Sequence, residues 1–278
     1  LVVDENNQRG RRVALADGEV TVFSPPEGAG TNLLTSARGI GVGSDGSIVV
    51  ANYFEATLVE IDPATGAQFP VAGLLSGPLA IGTLPRDVAL NPREPAPGFL
   101  PTLGVAAQSA LHQVVRNALD TTGSLLAPYP SPYDPHLGEF VVPVLPENDD
   151  PLDYVVATGT DPALLWYDGL GDAFTPLWTP LGVDAITGLD APRGESPFAL
   201  VAAYRSGPCE GGSHGLMFFP TLAEAGSVDI PSDCPGPVAY DARTDTTFFV
   251  DAKIDPKVVI GVYGVGGGGL ISWDERAT

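Results

Sequence analysis

The chain has 278 residues, and its 34 glycines and 28 prolines are spread throughout, which excludes an architecture of long helices and favours short strands joined by turns. Its 34 acidic against 13 basic residues leave a formal charge of −21, which excludes nucleic acid and anionic membrane surfaces as natural partners. No apolar run approaches the roughly 20 residues that a membrane-spanning helix needs, so no membrane span is expected.

In chain order, the N-terminal "LVVDENNQRGRRVALADGEVTVFSPPEG" reads as strands separated by turns, the second ending at Ala16-Asp17. "ARGIGVGSDGSIVVANYFEATLVEIDPATG" follows the same plan, with Ala51-Asn52 closing the second strand and Asp62-Pro63-Ala64-Thr65-Gly66 forming a turn. "RDVALNP…LGVAAQSALHQVV", "EFVVPVLPENDDPLDYVVATGTDPALLWYDG" and "ITGLDAPRGESPFALVAAYRSG…GLMFFP" repeat it, with second strands ending at Ala107-Gln108, Ala157-Thr158 and Ala203-Tyr204. "VAYDARTDTTFFVDAKIDPKVVIGVYG" closes the series at Val250-Asp251.

Each copy is followed by a fourth apolar patch: Leu33-Leu34, Phe69-Pro70-Val71, Leu125-Leu126, Leu177-Trp178, Val228-Asp229-Ile230 and Leu270-Ile271-Ser272-Trp273. The spacing is roughly 46 residues, near the period of propeller blades. A four-stranded antiparallel blade has two apolar faces and cannot hide them alone, whereas blades packed around an axis bury both. The expectation is one all-β domain, a six-bladed β-propeller of four-stranded antiparallel blades. Its blades span about 1–36, 37–81, 82–136, 137–181, 182–233 and 234–278. Every unit runs from first strand to fourth, so no strand is exchanged between the two ends of the chain.

"VVANYFEATLVEIDPATG" resembles the YVTN-type repeat of bacterial surface and secreted propellers, and "PRDVALNP" and "RGIGVGSDG" resemble the first-strand signature of YVTN and NHL repeats. Such relatives include lactonases, lyases, protein-binding scaffolds and surface-layer components, so the resemblance specifies architecture better than chemistry.

The resemblance implies that loops before first strands and after second strands share one face. Arg38, Asn52, Arg86, Gln108, His136 and Tyr204 would then ring the channel mouth, with Thr158 and Asp184 beside them, and offer a small molecule or cation its contacts. Asp17, Asn52, Gln108 and Asp251 would supply oxygens suited to Ca²⁺. Equally, such side chains cap strand ends and bond neighbouring backbone, and the arginines pair with the abundant acids. Cys209 and Cys234, the only cysteines, are compatible with one disulfide or with two buried thiols. The implied face brings them within reach of a bridge, closing a loop of about 25 residues worth ~3 kcal/mol in the chain-entropy model.

Other motifs carry less. "GVGGGG" (264–269) lacks the Lys-Ser/Thr of a phosphate loop. "ENDDPLD" (147–153) lacks EF-hand spacing. "GGSHG" (211–215) matches a nucleophile-elbow pattern around Ser213 but reads as a loop. His112, His136 and His214 are the only histidines and form no ligand pair. The functional expectation is a secreted, periplasmic or cell-surface binding or assembly module, with a protein partner or self-association. The alternative is a metal-dependent lactonase- or lyase-like enzyme working at the channel mouth.

Overall fold

The computed structural model describes residues 1–4, 7–14, 19–25, 31–43, 46–71, 84–90, 102–108, 110–116, 121–130, 138–144, 153–159, 161–169, 171, 173–192, 199–209, 211–222, 224–229, 234–241, 244, 246–252, 258–264 and 268–272. Of residues 2, 13, 20, 102, 115–116, 121–127, 138, 224–229, 250–252, 258–264 and 268–272 it describes the backbone alone.

Among these residues every regular element is a strand, and the strands form six sheets in chain order. The first holds β1 (Val2–Asp4), β2 (Arg9–Val13) and β3 (Val20–Ser24). The second holds β4 (Ala37–Val42), β5 (Ile48–Asn52), β6 (Thr57–Ile61) and β7 (Gln68–Pro70). The third is β8 (Pro85–Leu90), β9 (Thr102–Ala107), β10 (Ala110–Arg116) and β11 (Thr121–Pro128). The fourth is β12 (Gly138–Val144), β13 (Asp153–Thr158), β14 (Leu164–Asp168) and β15 (Ala173–Trp178). The fifth is β16 (Ala185–Asp190), β17 (Leu200–Ser206), β18 (Ser213–Thr221) and β19 (Glu224–Asp229). The sixth is β20 (Pro235–Asp241), β21 (Thr246–Ala252), β22 (Val258–Gly264) and β23 (Gly268–Ser272). Within each sheet, strands sit beside their sequence neighbours, and the pairs in sheets two, five and six run antiparallel throughout.

Several expectations need correction. The first sheet has three strands among the described residues, not four. Leu33-Leu34 is not a strand there; Leu34 is fully buried against Ile48, Val50, Val59 and Ile61 of the second sheet, which reward its side chain more than edge pairing would. Strand β2 stops at Val13, and Ala16-Asp17 lies outside the described residues. Strand β17 continues two residues past Tyr204, and β21 one past Asp251. Ser213 opens β18 rather than sitting in a loop, because Ser213 pairs with Ser206 and His214 with Arg205 across the hairpin. Of the acidic run 147–153, only Asp153 is described, at the start of β13.

The chain divides into two compact units, Leu1–Val156 with Tyr167–Phe174, and Ala157–Trp166 with Thr175–Thr278. In the first unit, β5 shows why its sequence is a continuous apolar run. Ile48 and Val50 join Leu34, Val59 and Ile61 on one side, with Val3 and Phe23 of the first sheet packed against them. Val49 and Ala51 face the other way, into a cluster with Val88, Leu90, Leu103, Val105 and Val114 of the third sheet. A strand with a period of two and both faces covered has no polar side to show. The first strands also approach each other closely: a Cβ on Gly39 would lie 2.4 Å from Asp87 Cα, and one on Gly41 2.5 Å from the Val88 carbonyl oxygen.

The second unit repeats the device. Val201, Ala203, Leu216 and Phe218 of the fifth sheet pack on Val238, Tyr240 and Phe249 of the sixth. A Cβ on Gly188 would sit 2.6 Å from the Val238 nitrogen, so β16 and β20 meet backbone to backbone there.

Candidate functional site

The first cluster lies in the first unit, around Tyr53. This residue follows β5 in a short connection whose start is fixed by Ser36: the Tyr53 N–H donates to the Ser36 carbonyl at 2.9 Å, and the Phe54 N–H to Ser36 Oγ at 2.9 Å. Ser36 Oγ in turn donates to the Glu55 carboxylate, and this bond, foremost, holds Glu55 below the usual carboxylate range. Arg38 at the start of β4 stacks on the Tyr53 ring with Cζ 4.4 Å from its centroid. Arg86 at the start of β8 stacks at 4.9 Å, donates from Nη2 to the Tyr53 hydroxyl at 3.4 Å, and pairs through Nη1 with Glu139 of β12.

One tyrosine thus gathers the first strands of two consecutive sheets, and Arg86 ties in the first strand of the next through Glu139. Phe54 meets Tyr53 edge to face, centroids 5.0 Å apart, and is 70% exposed. The arrangement is an edge-to-face aromatic pair in which two guanidinium groups stack on Tyr53 and the Phe54 ring is offered to solvent.

The structure brings Arg38 and Arg86 together on the ring of Tyr53, a residue absent from the expected channel-mouth set. Tyr53 stood in the quoted "ANYF"; nothing local in "GEFVV" marked Glu139, whose role arises only through packing. Asn52, beside Tyr53, is 1% exposed. Its Nδ2 donates to the Leu33 carbonyl and, at 3.4 Å, to Thr57 Oγ1, while its Oδ1 is buried without a partner. Thr158 is equally buried and closes the turn between β13 and β14: Oγ1 accepts from the Ala163 N–H at 3.0 Å and donates to the Asp161 carbonyl at 3.1 Å. Both therefore bond neighbouring backbone at strand ends. Gln108 is half-buried directly after β9.

Of the four oxygen donors considered for Ca²⁺, Asp17 and the side chain of Asp251 lie outside the described residues, as does His136. Among the described residues, no group of three His, Cys, Asp or Glu side chains could hold a metal ion. His112 on β10 is 5% exposed, and burial lowers its pKa from 6.5 to about 4, so at neutral pH it is an uncharged core residue.

The second cluster lies in the second unit. Cys209 and Cys234 form a disulfide, with Cα atoms 4.6 Å apart, joining the turn after β17 to the residue before β20. His214 Nε2 lies 3.2 Å from the Cys209 carbonyl oxygen, and the Gly207 N–H donates to Asp184 Oδ2 at 2.6 Å. Nearby, Tyr204 lines an open groove of about 450 Å³ with Trp178, Leu181, Ser206, Ser213 and Met217. The Trp178 and Tyr204 rings meet edge to face, centroids 6.2 Å apart.

No family model matches the chain, and no curated protein does, so the YVTN and NHL resemblance rests on the quoted motifs. Solved structures do resemble it. The Dos1 propeller shares 8% identity at a TM-score of 0.56, over 96% of this chain and 73% of that one. A chain of a nidogen/laminin complex shares 10% identity at a TM-score of 0.61, over 92% and 83%. The gluconolactonase XC5397 of Xanthomonas campestris shares 10% identity at a TM-score of 0.58, over 85% and 74%. At such identities the likeness speaks for the fold alone: this is an all-β chain of consecutive antiparallel sheets, of the kind that builds β-propellers.

Proposed function

We propose that the chain is a six-bladed β-propeller, with the blade boundaries given above, acting as a binding or assembly module outside the cytoplasm. Its partner is a protein, a second copy included, and its contact face carries Arg38, Tyr53, Phe54 and Arg86. The observation that carries this reading is Phe54. A large ring left 70% exposed is costly for a free surface, yet here its neighbour Tyr53 is held by two arginines rather than left mobile. Aromatic residues and arginine are the side chains that dominate protein-binding energetics, and a ring fixed beforehand loses little entropy on docking. The nidogen/laminin complex, among similar structures, supports a propeller in a protein-binding role. The disulfide suits an oxidising compartment.

Sedimentation velocity over a wide concentration range tests the assembly reading. The wild-type chain is expected to associate as concentration rises, and Phe54→Ser and Arg38→Glu each to weaken association at least tenfold. A single monomeric species at every concentration, the same for both variants, overturns it.

A further inference from the structure

Arg205 has an unusual environment. It lies on β17, paired across the hairpin with His214, and its guanidinium Nη1 is 3.5 Å from Cys209 Sγ and 3.8 Å from Cys234 Sγ. Its Nε is buried without a hydrogen-bond partner. Among the described residues no carboxylate forms an ion pair with it; Asp184, whose N–H bonds the Arg205 carbonyl, directs its own carboxylate to the Gly207 N–H. A fixed positive charge thus faces both sulfurs. The two cysteines differ in exposure, Cys209 being half-buried and Cys234 only 7% exposed.

We propose that Cys209–Cys234 is a thiol–disulfide exchange site, poised by Arg205, whose co-substrate is a dithiol reductant. Sγ of Cys209, the more exposed of the two residues, is attacked by one thiolate of the dithiol. The S–S bond breaks, and its electron pair leaves on Cys234 Sγ as a thiolate facing the Arg205 guanidinium. The second thiol of the reductant loses its proton and attacks the mixed disulfide at the reductant's own sulfur, releasing Cys209 as a thiolate. The reductant departs as its disulfide. Two electrons have passed to the protein, and the two protons of the dithiol end on Cys209 and Cys234.

A cation beside the leaving sulfur stabilises the thiolate, which speeds exchange and makes the disulfide easier to reduce. Reduction unties the turn after β17 from the start of β20. That turn is flanked by Ser206 and Ser213, which line the Trp178–Tyr204 groove, so the redox state sets how firmly one wall of the groove is held. This site is independent of the Phe54 face.

The test is a redox titration of the folded chain against reduced and oxidised dithiothreitol, read by alkylation and mass measurement. Arg205→Gln is expected to shift the equilibrium at least tenfold toward the disulfide, about 30 mV for this two-electron couple, with Arg205→Lys between it and wild type. Equilibria within twofold of wild type for both variants overturn the proposal. If Arg205→Gln does not fold, the single-cysteine variant Cys209→Ser decides. Alkylation of its Cys234 thiol is expected to titrate below the ordinary midpoint of about 8.5. A midpoint at or above that value, or a chain that cannot fold without the bridge, shows a structural staple and overturns the proposal.

Discussion

The carboxylate of Asp87 on β8 accepts a 2.9 Å hydrogen bond from the backbone N–H of Val141 on β12. In the second unit Asp190 on β16 accepts one of 2.7 Å from the N–H of Tyr240 on β20. In each case a side chain of one first strand satisfies the backbone of the next sheet's first strand, where no ladder bond is available.

Asp87→Ala is expected to destabilise the chain by about 1.5–3 kcal/mol, the range for a hydrogen bond to a charged group. Asp87→Asn keeps an acceptor and should lose less. Urea unfolding midpoints of the two variants would show the order, and equal losses would place the effect elsewhere.

The close approach of first strands makes a second prediction. Gly39→Ala and Gly188→Ala put a methyl group against backbone, which cannot rotate away, and each should cost about 1–3 kcal/mol. Thermal unfolding is the measurement, and midpoints unchanged from wild type would contradict the packing described.

His112 gives the chain a pH dependence with a defined sign. Its folded pKa of about 4 lies below the ordinary 6.5, so the unfolded chain binds the extra proton. The stability associated with neutral His112 is complete above pH 6.5 and is lost as pH falls from there toward 4. Asp4 differs: burial opposes its ionisation, but bonds from Asn7 and Arg11 prevail and lower its pKa, so its contribution disappears only below the ordinary carboxylate range. Unfolding free energy measured between pH 7 and 4 should therefore fall in wild type and stay flatter in His112→Phe.

Tyr53 can be separated from its hydroxyl. Tyr53→Phe removes only a 3.4 Å bond from Arg86 and should cost less than about 1 kcal/mol. Tyr53→Leu removes both guanidinium contacts and should cost about 1–2 kcal/mol. Phe54→Ser should leave stability nearly unchanged, since its ring is largely exposed. Chemical denaturation of the three variants distinguishes a ring that organises the face from one that only borders it.

Local pattern was enough to reveal the strands of the second sheet. The run Ile48–Asn52 is apolar on both sides, and the turn at Asp62 closes through its own side chain, which accepts from the Ala64 and Thr65 N–H groups at 2.8 and 3.0 Å. These features depend on residues a few positions apart, so the sequence contains them. The repeat followed for the same reason, and with it the all-β class. The fate of Leu34 was different. Its apolar character was plain, but whether it extends the first sheet or fills the core of the second depends on which surface offers more burial. The site divides in the same way. Arg38 and Arg86 occupy matching repeat positions and could be paired by alignment. Tyr53 between them, Glu139 on Arg86, and Arg205 on the two sulfurs are contacts across strands and sheets, tens of residues apart or across a hairpin. The sequence determined a chain of short, two-faced strands that must stack. Only the tertiary structure decided which charges meet which rings and sulfurs, because those distances depend on packing between sheets rather than on spacing along the chain.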